Sequence, residues 1–281
     1  MNLRKIFTIT LLLVCLIGLL SARKHESLFA LSSNSNYLKE RNQDYTLVWE
    51  DNFDSNTLDT SKWSKQPRTT ANWAKHMTDL DELFEIKDSR LRLYCRSNNG
   101  LLPNDTATYL TAGVITYKKF TFTYGKVEVR AKIKGAQGCQ PAIWIGGNSK
   151  KPYGGTEYQE IDVMEHVNNN NYVYQTVHNY YIDILQQRNN PPYQTKAAIN
   201  TNEYNTYAVE ILPEKLLFSV NGINTLTYPK LEEQVEGQYP FGTDEMFLIL
   251  STCAGSTWAG KVDPSQLPAY IDIDWVKVYS I

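Results

Sequence analysis

The chain has 281 residues, 12% of them aromatic, and a formal net charge of −2 at pH 7. This length accommodates one large β domain, and the near-neutral charge argues against nucleic acid as a partner. The 19 Tyr and 6 Trp suit both β-sheets and sugar-binding clefts.

The N-terminus is typical of an export signal. Arg4 and Lys5 precede an apolar stretch from Ile6 to Leu20, and Ser21-Ala22 forms a plausible cleavage site. The stretch is short for a membrane span. We therefore expect residues 1–22 to be a signal peptide that is removed, with export to the periplasm or the extracellular space and no membrane span.

A lipoprotein anchor is the alternative at this end of the chain, because Cys15 follows Leu12-Leu13-Val14. Val14 is bulkier than such a motif usually tolerates, which favours a soluble exported product. Residues 23–44 are polar, rich in Ser and Asn and without periodicity, and we expect a disordered lead-in there. The catalytic domain is then predicted over residues 45–281.

The rest of the sequence predicts strands almost throughout. Alternating segments such as LRLYC, KVEVRAKI, VYQTVH and FLILST are separated by turn signals, and no stretch keeps a helical period. Asn221-Gly222, between two such segments, is the residue pair that type I′ hairpin turns prefer. The pattern predicts an all-β fold, an antiparallel two-sheet sandwich.

Three cysteines remain after signal removal: Cys95, Cys139 and Cys253. An odd number in an exported chain allows one disulfide and one free thiol. A bridge from Cys139 to Cys253 is conceivable, and independent buried thiols are an equal alternative. The spacing resembles no metal site, and we expect neither a metal nor a cofactor.

The most informative segment is EIDVME, which places Glu160, Asp162 and Glu165 within six residues. On a regular strand Glu160 and Asp162 share a face and Glu165 points to the other. One extra residue at Val163-Met164, forming a β-bulge, would turn all three carboxylates to the same side. A solvated strand face is the alternative, but such a face rarely interleaves its acids with Ile, Val and Met.

Three acids on one face repel one another, and burying them is costly unless protons are shared or a substrate requires them. Two carboxyl groups facing a shared gap are what glycoside hydrolysis needs, because one attacks the sugar and the other protonates the leaving oxygen.

In this segment the sequence resembles glycoside hydrolase family 16, the group of laminarinases, lichenases, agarases and carrageenases, in its bulged E-x-D-x-x-E form. The resemblance extends, in family order, over residues 47–63, 124–138, 141–144 (PAIW), 176–178 (TVH), 207–222 and 270–280. It implies a jelly roll with a concave substrate cleft and a retaining endo-β-glycanase that acts on a polysaccharide. We expect the enzyme to be monomeric.

The resemblance also implies roles for individual residues. Glu160 matches the nucleophile, Glu165 the acid/base, and Asp162 the carboxylate that tunes the nucleophile. His178 matches a family histidine that contacts the acid/base or the sugar, and Trp144 matches a sugar-stacking tryptophan; for both, packing in the sheet is the alternative.

Three further residues complete the predicted substrate site. Trp258 matches another family tryptophan, with burial in the core as the alternative. Arg130 is a candidate for the polar wall of the cleft, with a salt bridge to Glu128 as the alternative. Gln140 stands where laminarinases carry Trp before Pro-Ala, so an aromatic platform is missing.

Three functions are consistent with these patterns. The first is hydrolysis of β-1,3 or mixed β-1,3/1,4 glucan. The second is an endo-β-galactosidase on host-type or algal galactans, favoured by Gln140. The third is a non-catalytic carbohydrate-binding sandwich, which would have no reason to retain all three carboxylates.

Overall fold

The structure, a computed structural model, describes residues 44–147, 153–233 and 235–281. The predicted signal peptide and the lead-in up to residue 43 lie outside this part of the chain. In chain order the strands are β1 (Thr46–Asp51), β2 (Ser64–Lys65), β3 (Phe84–Ile86), β4 (Leu91–Ser97), β5 (Tyr109–Thr111), β6 (Gly113–Ile115), β7 (Gly125–Lys134), β8 (Ala142–Gly147), β9 (Gln159–Glu165), β10 (Tyr172–Asn179), β11 (Gln194–Ala198), β12 (Asn205–Ile211), β13 (Lys215–Val220), β14 (Ile223–Pro229), β15 (Met246–Ser251) and β16 (Ala269–Ser280).

These strands form two antiparallel sheets. The seven-stranded sheet has the order β11-β10-β9-β8-β15-β6-β2, and the nine-stranded sheet has the order β14-β13-β12-β7-β16-β4-β3, with β1 beside β16 and β5 beside β4. The only α-helix among the described residues is a single turn, α1 (Tyr180–Asp183), and two 3₁₀ turns span Asp81–Leu83 and Pro264–Gln266. The predicted all-β fold of two sheets is confirmed.

Alternation along the strands explains why the sheets face each other. On β7 every second side chain is apolar and fully or almost fully buried, whereas the side chains between them are charged and at least partly exposed. The buried side chains of β7 are Val127, Val129, Ala131 and Ile133, and they pack against the apolar face of the other sheet. One core therefore lies between the sheets, which leaves the outer face of the seven-stranded sheet free to hold a site.

Strand β9 carries the bulge that the sequence predicted. Against β8, Met164 pairs with Ile143 and Asp162 with Trp144, so Val163 is skipped. Val163 and Met164 are both fully buried in the core, although they are consecutive. Because two successive side chains point inward, the alternation is reset and Glu165 returns to the outer face.

Two local turns also match their residues. Asn221 and Gly222 join β13 to β14 with φ angles of 52° and 76°, as a type I′ turn requires. At the end of β10, the Asn179 side chain accepts a hydrogen bond from the Ile182 backbone N–H at 2.9 Å and caps α1. This cap fixes the turn that carries Asp183.

All three cysteines in the described chain are buried free thiols. The conceivable bridge from Cys139 to Cys253 is not formed. Instead the Sγ atoms of Cys95 and Cys139 lie 3.4 Å apart. Among the described residues, no helix is both long enough and apolar enough to cross a membrane.

Deleting Met164 tests the bulge. The segment becomes Glu-Ile-Asp-Val-Glu, in which regular alternation keeps all three acids on the outer face, so we expect the variant to fold. It loses one buried side chain, at a cost of about 2–5 kcal/mol in unfolding free energy. Denaturant unfolding and far-UV circular dichroism measure both effects.

Deleting Ile161 is the matched control. That deletion leaves the bulge in place but turns Glu160 toward the core, and we expect no folded protein. If both deletions fold equally well, the bulge does not determine the orientation of the acids.

Candidate active site

Three carboxylates of β9 meet in one pocket on the outer face of the seven-stranded sheet. Glu160, Asp162 and Glu165 all border this pocket of about 150 Å³, so the predicted triad is brought together. The remaining lining comes from β8, β15 and three loops: Trp73, Gln140, Ala142, Trp144, Ser251 and Cys253.

Glu160 lies at one end of the triad and is hydrogen bonded to a tyrosine. The Tyr158 hydroxyl donates to Glu160 Oε2 at 2.8 Å. Burial and the neighbouring Asp162 carboxylate raise the pKa of Glu160 to about 7, while His178 and the Tyr158 hydrogen bond act in the opposite direction. Glu160 therefore titrates close to neutral pH.

Asp162, in the middle, faces an imidazole held between two carboxylates. His178 Nε2 lies 3.2 Å from Asp162 Oδ2, and Nδ1 lies 3.1 Å from Asp183 on α1. Burial lowers the pKa of His178, but hydrogen bonds to Asp162 and Asp183 outweigh it and hold that pKa well above its ordinary value. The imidazole is thus a fixed positive charge beside the acids.

Glu165, at the other end, is hydrogen bonded to Gln140. Gln140 Nε2 donates to Glu165 Oε1 at 2.8 Å, and Gln140 Oε1 accepts from Ser256 Oγ at 2.9 Å. Burial and the Asp162 carboxylate raise the pKa of Glu165 well above its ordinary value. Burial therefore favours the protonated form of Glu165, as the role of a general acid requires.

The two predicted tryptophans lie at different distances from the acids. Trp144 lines the pocket, donates from Nε1 to Ser251 Oγ at 3.2 Å and packs edge-on against Trp73, with ring centroids 4.9 Å apart. Trp258 is 43% exposed and packs edge-on against Tyr174, with centroids 4.7 Å apart. Since Tyr174 pairs with Glu165 in the sheet, Trp258 extends the cleft beyond that acid.

Arg130 is not in the cleft, which corrects the sequence prediction. It lies on β7 in the nine-stranded sheet, among the side chains that point away from the core. Its guanidinium forms an ion pair with Asp274, and Glu128 pairs with Lys126 instead. The alternation predicted for this strand is correct, but alternation does not determine which sheet borders the cleft.

Sequence reasoning missed three residues that touch the site or its acids: Trp73, Tyr158 and Asp183. Trp73 and Tyr158 come from irregular segments, and Asp183 from the helical turn after β10. Asp183 carries a usable signal, because it follows His178 by five residues and a short capped turn brings the two together.

Glu160, Asp162 and His178 are also the one group within the described chain whose ligand atoms lie close enough for a shared cation, within 4.8 Å of one another. Each of the three already has a protein partner, since Glu160 accepts from Tyr158, and Asp162 and His178 contact each other. A cation here would have to replace these hydrogen bonds. We therefore interpret the group as a network that shares protons.

The comparison with known families agrees with this geometry. The profile of the glycosyl hydrolases family 16 matches residues 74–277. The chain belongs to this family. The resemblance found in the sequence is confirmed.

Individual relatives cover most of this chain. A keratan-sulfate endo-1,4-β-galactosidase of Sphingobacterium multivorum is 36% identical over 240 residues, which are 85% of this chain and 56% of that protein. A β-glucanase of Rhodothermus marinus is 29% identical over 84% of this chain and 85% of its own length. The chain therefore spans little more than half of the galactosidase.

A solved structure also shares the fold. It comes from work on endo-acting O-glycanases that prominent members of the human gut microbiota express to initiate mucin breakdown. It is 27% identical, superposes with a TM-score of 0.71 and covers 83% of this chain and 98% of its own. The two sheets of this chain are thus those of a family 16 jelly roll.

Replacing Tyr158 by Phe tests the hydrogen bond to Glu160. The hydroxyl stabilises the ionised carboxylate, so its loss raises the pKa of Glu160, and the acidic limb of the kcat/KM profile moves to higher pH. A hydrogen bond to a charged group is worth about 1.5–3 kcal/mol, which corresponds to a shift of about one pH unit or more.

The matched control is Tyr153→Phe. Tyr153 packs edge-on against Tyr158 and is 65% exposed. This variant should leave the acidic limb in place. An unchanged limb in Tyr158→Phe would show that the Tyr158 hydroxyl does not tune Glu160.

Proposed function

We propose that this protein is a retaining endo-β-glycosidase that hydrolyses internal bonds of a polysaccharide. The observation that carries the proposal is the pair Glu160 and Glu165, on one face of one bulged strand and in one pocket. Their surroundings differ, since the Tyr158 hydroxyl donates to Glu160 and the Gln140 amide donates to Glu165. One carboxylate and one carboxylic acid are what the retaining mechanism requires.

In the first step, the Glu160 carboxylate attacks the anomeric carbon and forms a glycosyl-enzyme ester. Glu165 gives its proton to the departing glycosidic oxygen as that bond breaks. In the second step, Glu165, now ionised, takes a proton from water, which attacks the anomeric carbon and releases Glu160. The configuration at the anomeric carbon is retained because it inverts twice.

Asp162 and His178 assist Glu160 in this scheme. The protonated imidazole offsets part of the charge repulsion between Asp162 and Glu160, and it favours the ionised form of Glu160. Asp183 holds the ring from the other side. Trp73, Trp144 and Trp258 present ring faces or edges along the cleft, where sugar rings can stack.

For the substrate we propose a β-1,3 or mixed β-1,3/1,4 glucan, the reading that the family resemblance gives first. The β-glucanase of Rhodothermus marinus, aligned over most of both chains, supports it.

Cleavage of β-galactosidic bonds is the second candidate, and two observations favour it. The relative that is 36% identical is a keratan-sulfate endo-1,4-β-galactosidase. Gln140 also stands where laminarinases carry the tryptophan before Pro-Ala, and its amide is hydrogen bonded to Glu165. The site then offers no ring for stacking at that position, which changes the sugar face that it accepts.

Export is part of the same proposal, because an enzyme that cleaves polysaccharides has to reach them outside the cytoplasm. Its support is the pattern of Arg4 and Lys5 followed by the apolar stretch up to Leu20. N-terminal sequencing of the protein from its native cells would identify the processed end.

Substitution of the two acids tests the mechanism. Glu165→Gln should lower kcat on polysaccharide by about 10²–10⁴-fold, and Glu160→Gln should abolish turnover, both with an unchanged circular dichroism spectrum. With an activated aryl β-glycoside, azide should rescue Glu160→Gly and give an α-glycosyl azide.

The matched comparison is Glu165→Ala, for which azide acts on the glycosyl-enzyme and gives the β-glycosyl azide. Near-normal turnover in either Gln variant, or the same azide anomer from both rescued variants, would contradict the assigned roles.

Product analysis on laminarin, lichenan, agarose and poly-N-acetyllactosamine tests the substrate. Oligosaccharides of several lengths from laminarin or lichenan are expected for the glucan proposal. Products from the galactans alone would establish the second candidate, and monosaccharide as the first product would overturn endo action.

A further inference from the structure

The amide of Gln140 lies between the acid Glu165 and a serine of the loop that follows β15. Its Nε2 donates to Glu165 Oε1 at 2.8 Å, and its Oε1 accepts from Ser256 Oγ at 2.9 Å. This is the one side-chain hydrogen bond that Glu165 makes within the described residues. Gln140 thus reaches the acid directly instead of only bordering the cleft.

The amide oxygen of Gln140 faces Ser256, and its NH₂ group faces Glu165. Ser256 Oγ accepts the Ala259 backbone N–H at 2.9 Å, so its own hydrogen is free for Gln140 Oε1. With the amide oxygen committed to Ser256, the NH₂ group is turned toward Glu165.

The backbone around Gln140 is fixed as well. Gln140 and Cys253 exchange two backbone hydrogen bonds, at 2.9 and 3.0 Å. Gly138, two residues earlier, has a φ of +80°, and a Cβ there would lie 2.4 Å from Val262 Cα. The loop before β8 therefore contacts the loop after β15 at Gln140 itself and at Gly138. These contacts leave the backbone of Gln140 little freedom to move.

We propose that Gln140 is a positioning residue that determines which oxygen of Glu165 carries the catalytic proton. The proposal rests on the proposed function, in which Glu165 is the acid. An NH₂ group only donates, so Glu165 Oε1 is held as an acceptor and the proton resides on Oε2. Oε2 is then the oxygen that protonates the leaving group, and Gln140 fixes its direction.

A second consequence concerns the ionised state. After proton transfer Glu165 is a buried carboxylate, and the Gln140 hydrogen bond favours this form, since it lowers the pKa that burial raises. Gln140 thus sets the pH above which the acid is lost. A residue that only bound sugar would have no such effect.

The test compares leaving groups. For Gln140→Leu, kcat/KM on the polysaccharide and on a phenyl β-glycoside of the released disaccharide should fall about 10- to 100-fold, a part of what general acid catalysis contributes. On the matching 2,4-dinitrophenyl glycoside it should stay within about threefold, because that leaving group needs no proton. The parameter kcat/KM reports the first chemical step, so slower hydrolysis of the glycosyl-enzyme does not affect it.

The pH profile gives an independent readout. The alkaline limb of kcat/KM on the phenyl glycoside should move up by about one unit in Gln140→Leu. Ser256→Ala removes the hydrogen bond to Gln140 Oε1 but leaves the Gln140 amide in place. It should change both readouts in the same direction as Gln140→Leu, but less strongly. Thr257→Ala is the matched control, because its hydroxyl contacts Asn72 instead of Gln140, and it should match the wild type.

The outcomes separate the two proposals. A wild-type protein that cleaves no polysaccharide contradicts the proposed function. An active wild type whose Gln140→Leu variant loses the phenyl and dinitrophenyl activities equally, with the alkaline limb unmoved, overturns the positioning role. If Gln140→Leu does not fold, Ser256→Ala decides, and a profile identical to that of Thr257→Ala overturns the proposal.

Discussion

The active site depends on one irregularity in the backbone, the bulge at Val163 and Met164. Without it, a six-residue segment with acids at its first, third and sixth positions would turn the last acid into the core, where an unpaired carboxylate is very costly. With it, the core receives two consecutive apolar side chains, and the outer face receives three acids. The bulge therefore serves stability and chemistry together, because the same backbone step fills the core and completes the triad.

Once the acids share a face, their mutual repulsion has to be managed. The two ends of the triad have different partners, and the three carboxyl groups are not all paired with a positive charge. His178, held between Asp162 and Asp183, pairs with Glu160 across the strands, whereas Glu165 at the other end is hydrogen bonded to a neutral amide. His178 favours ionisation of Glu160, and burial favours the protonated form of Glu165. Different neighbours thus give two chemically identical side chains opposite roles.

The sequence predicted what regular spacing determines and missed what loops determine. The strand pattern, the Asn221-Gly222 hairpin and the bulge follow from local residues, and the structure confirms them. Arg130 is a candidate for the cleft wall in the sequence, but the alternation of its strand separates only core-facing from outward side chains. Whether an outward side chain borders the cleft or the opposite surface depends on the long-range pairing of β7 with β12 and β16. Tyr158, Trp73 and Asp183 enter the site from irregular segments and a helical turn, where no periodicity predicts the direction of a side chain.

Gln140 shows how a change of residue type can change the function of a position. In the sequence, Gln140 indicates only that an aromatic surface for stacking on the substrate is missing. In the structure its amide has a donor and an acceptor at opposite ends, which a tryptophan cannot reproduce because its indole only donates. Ser256 and Glu165 require these two ends at once. The amide therefore links the loop after β15 to the acid of β9, so a change of residue type at this position acts on the acid itself.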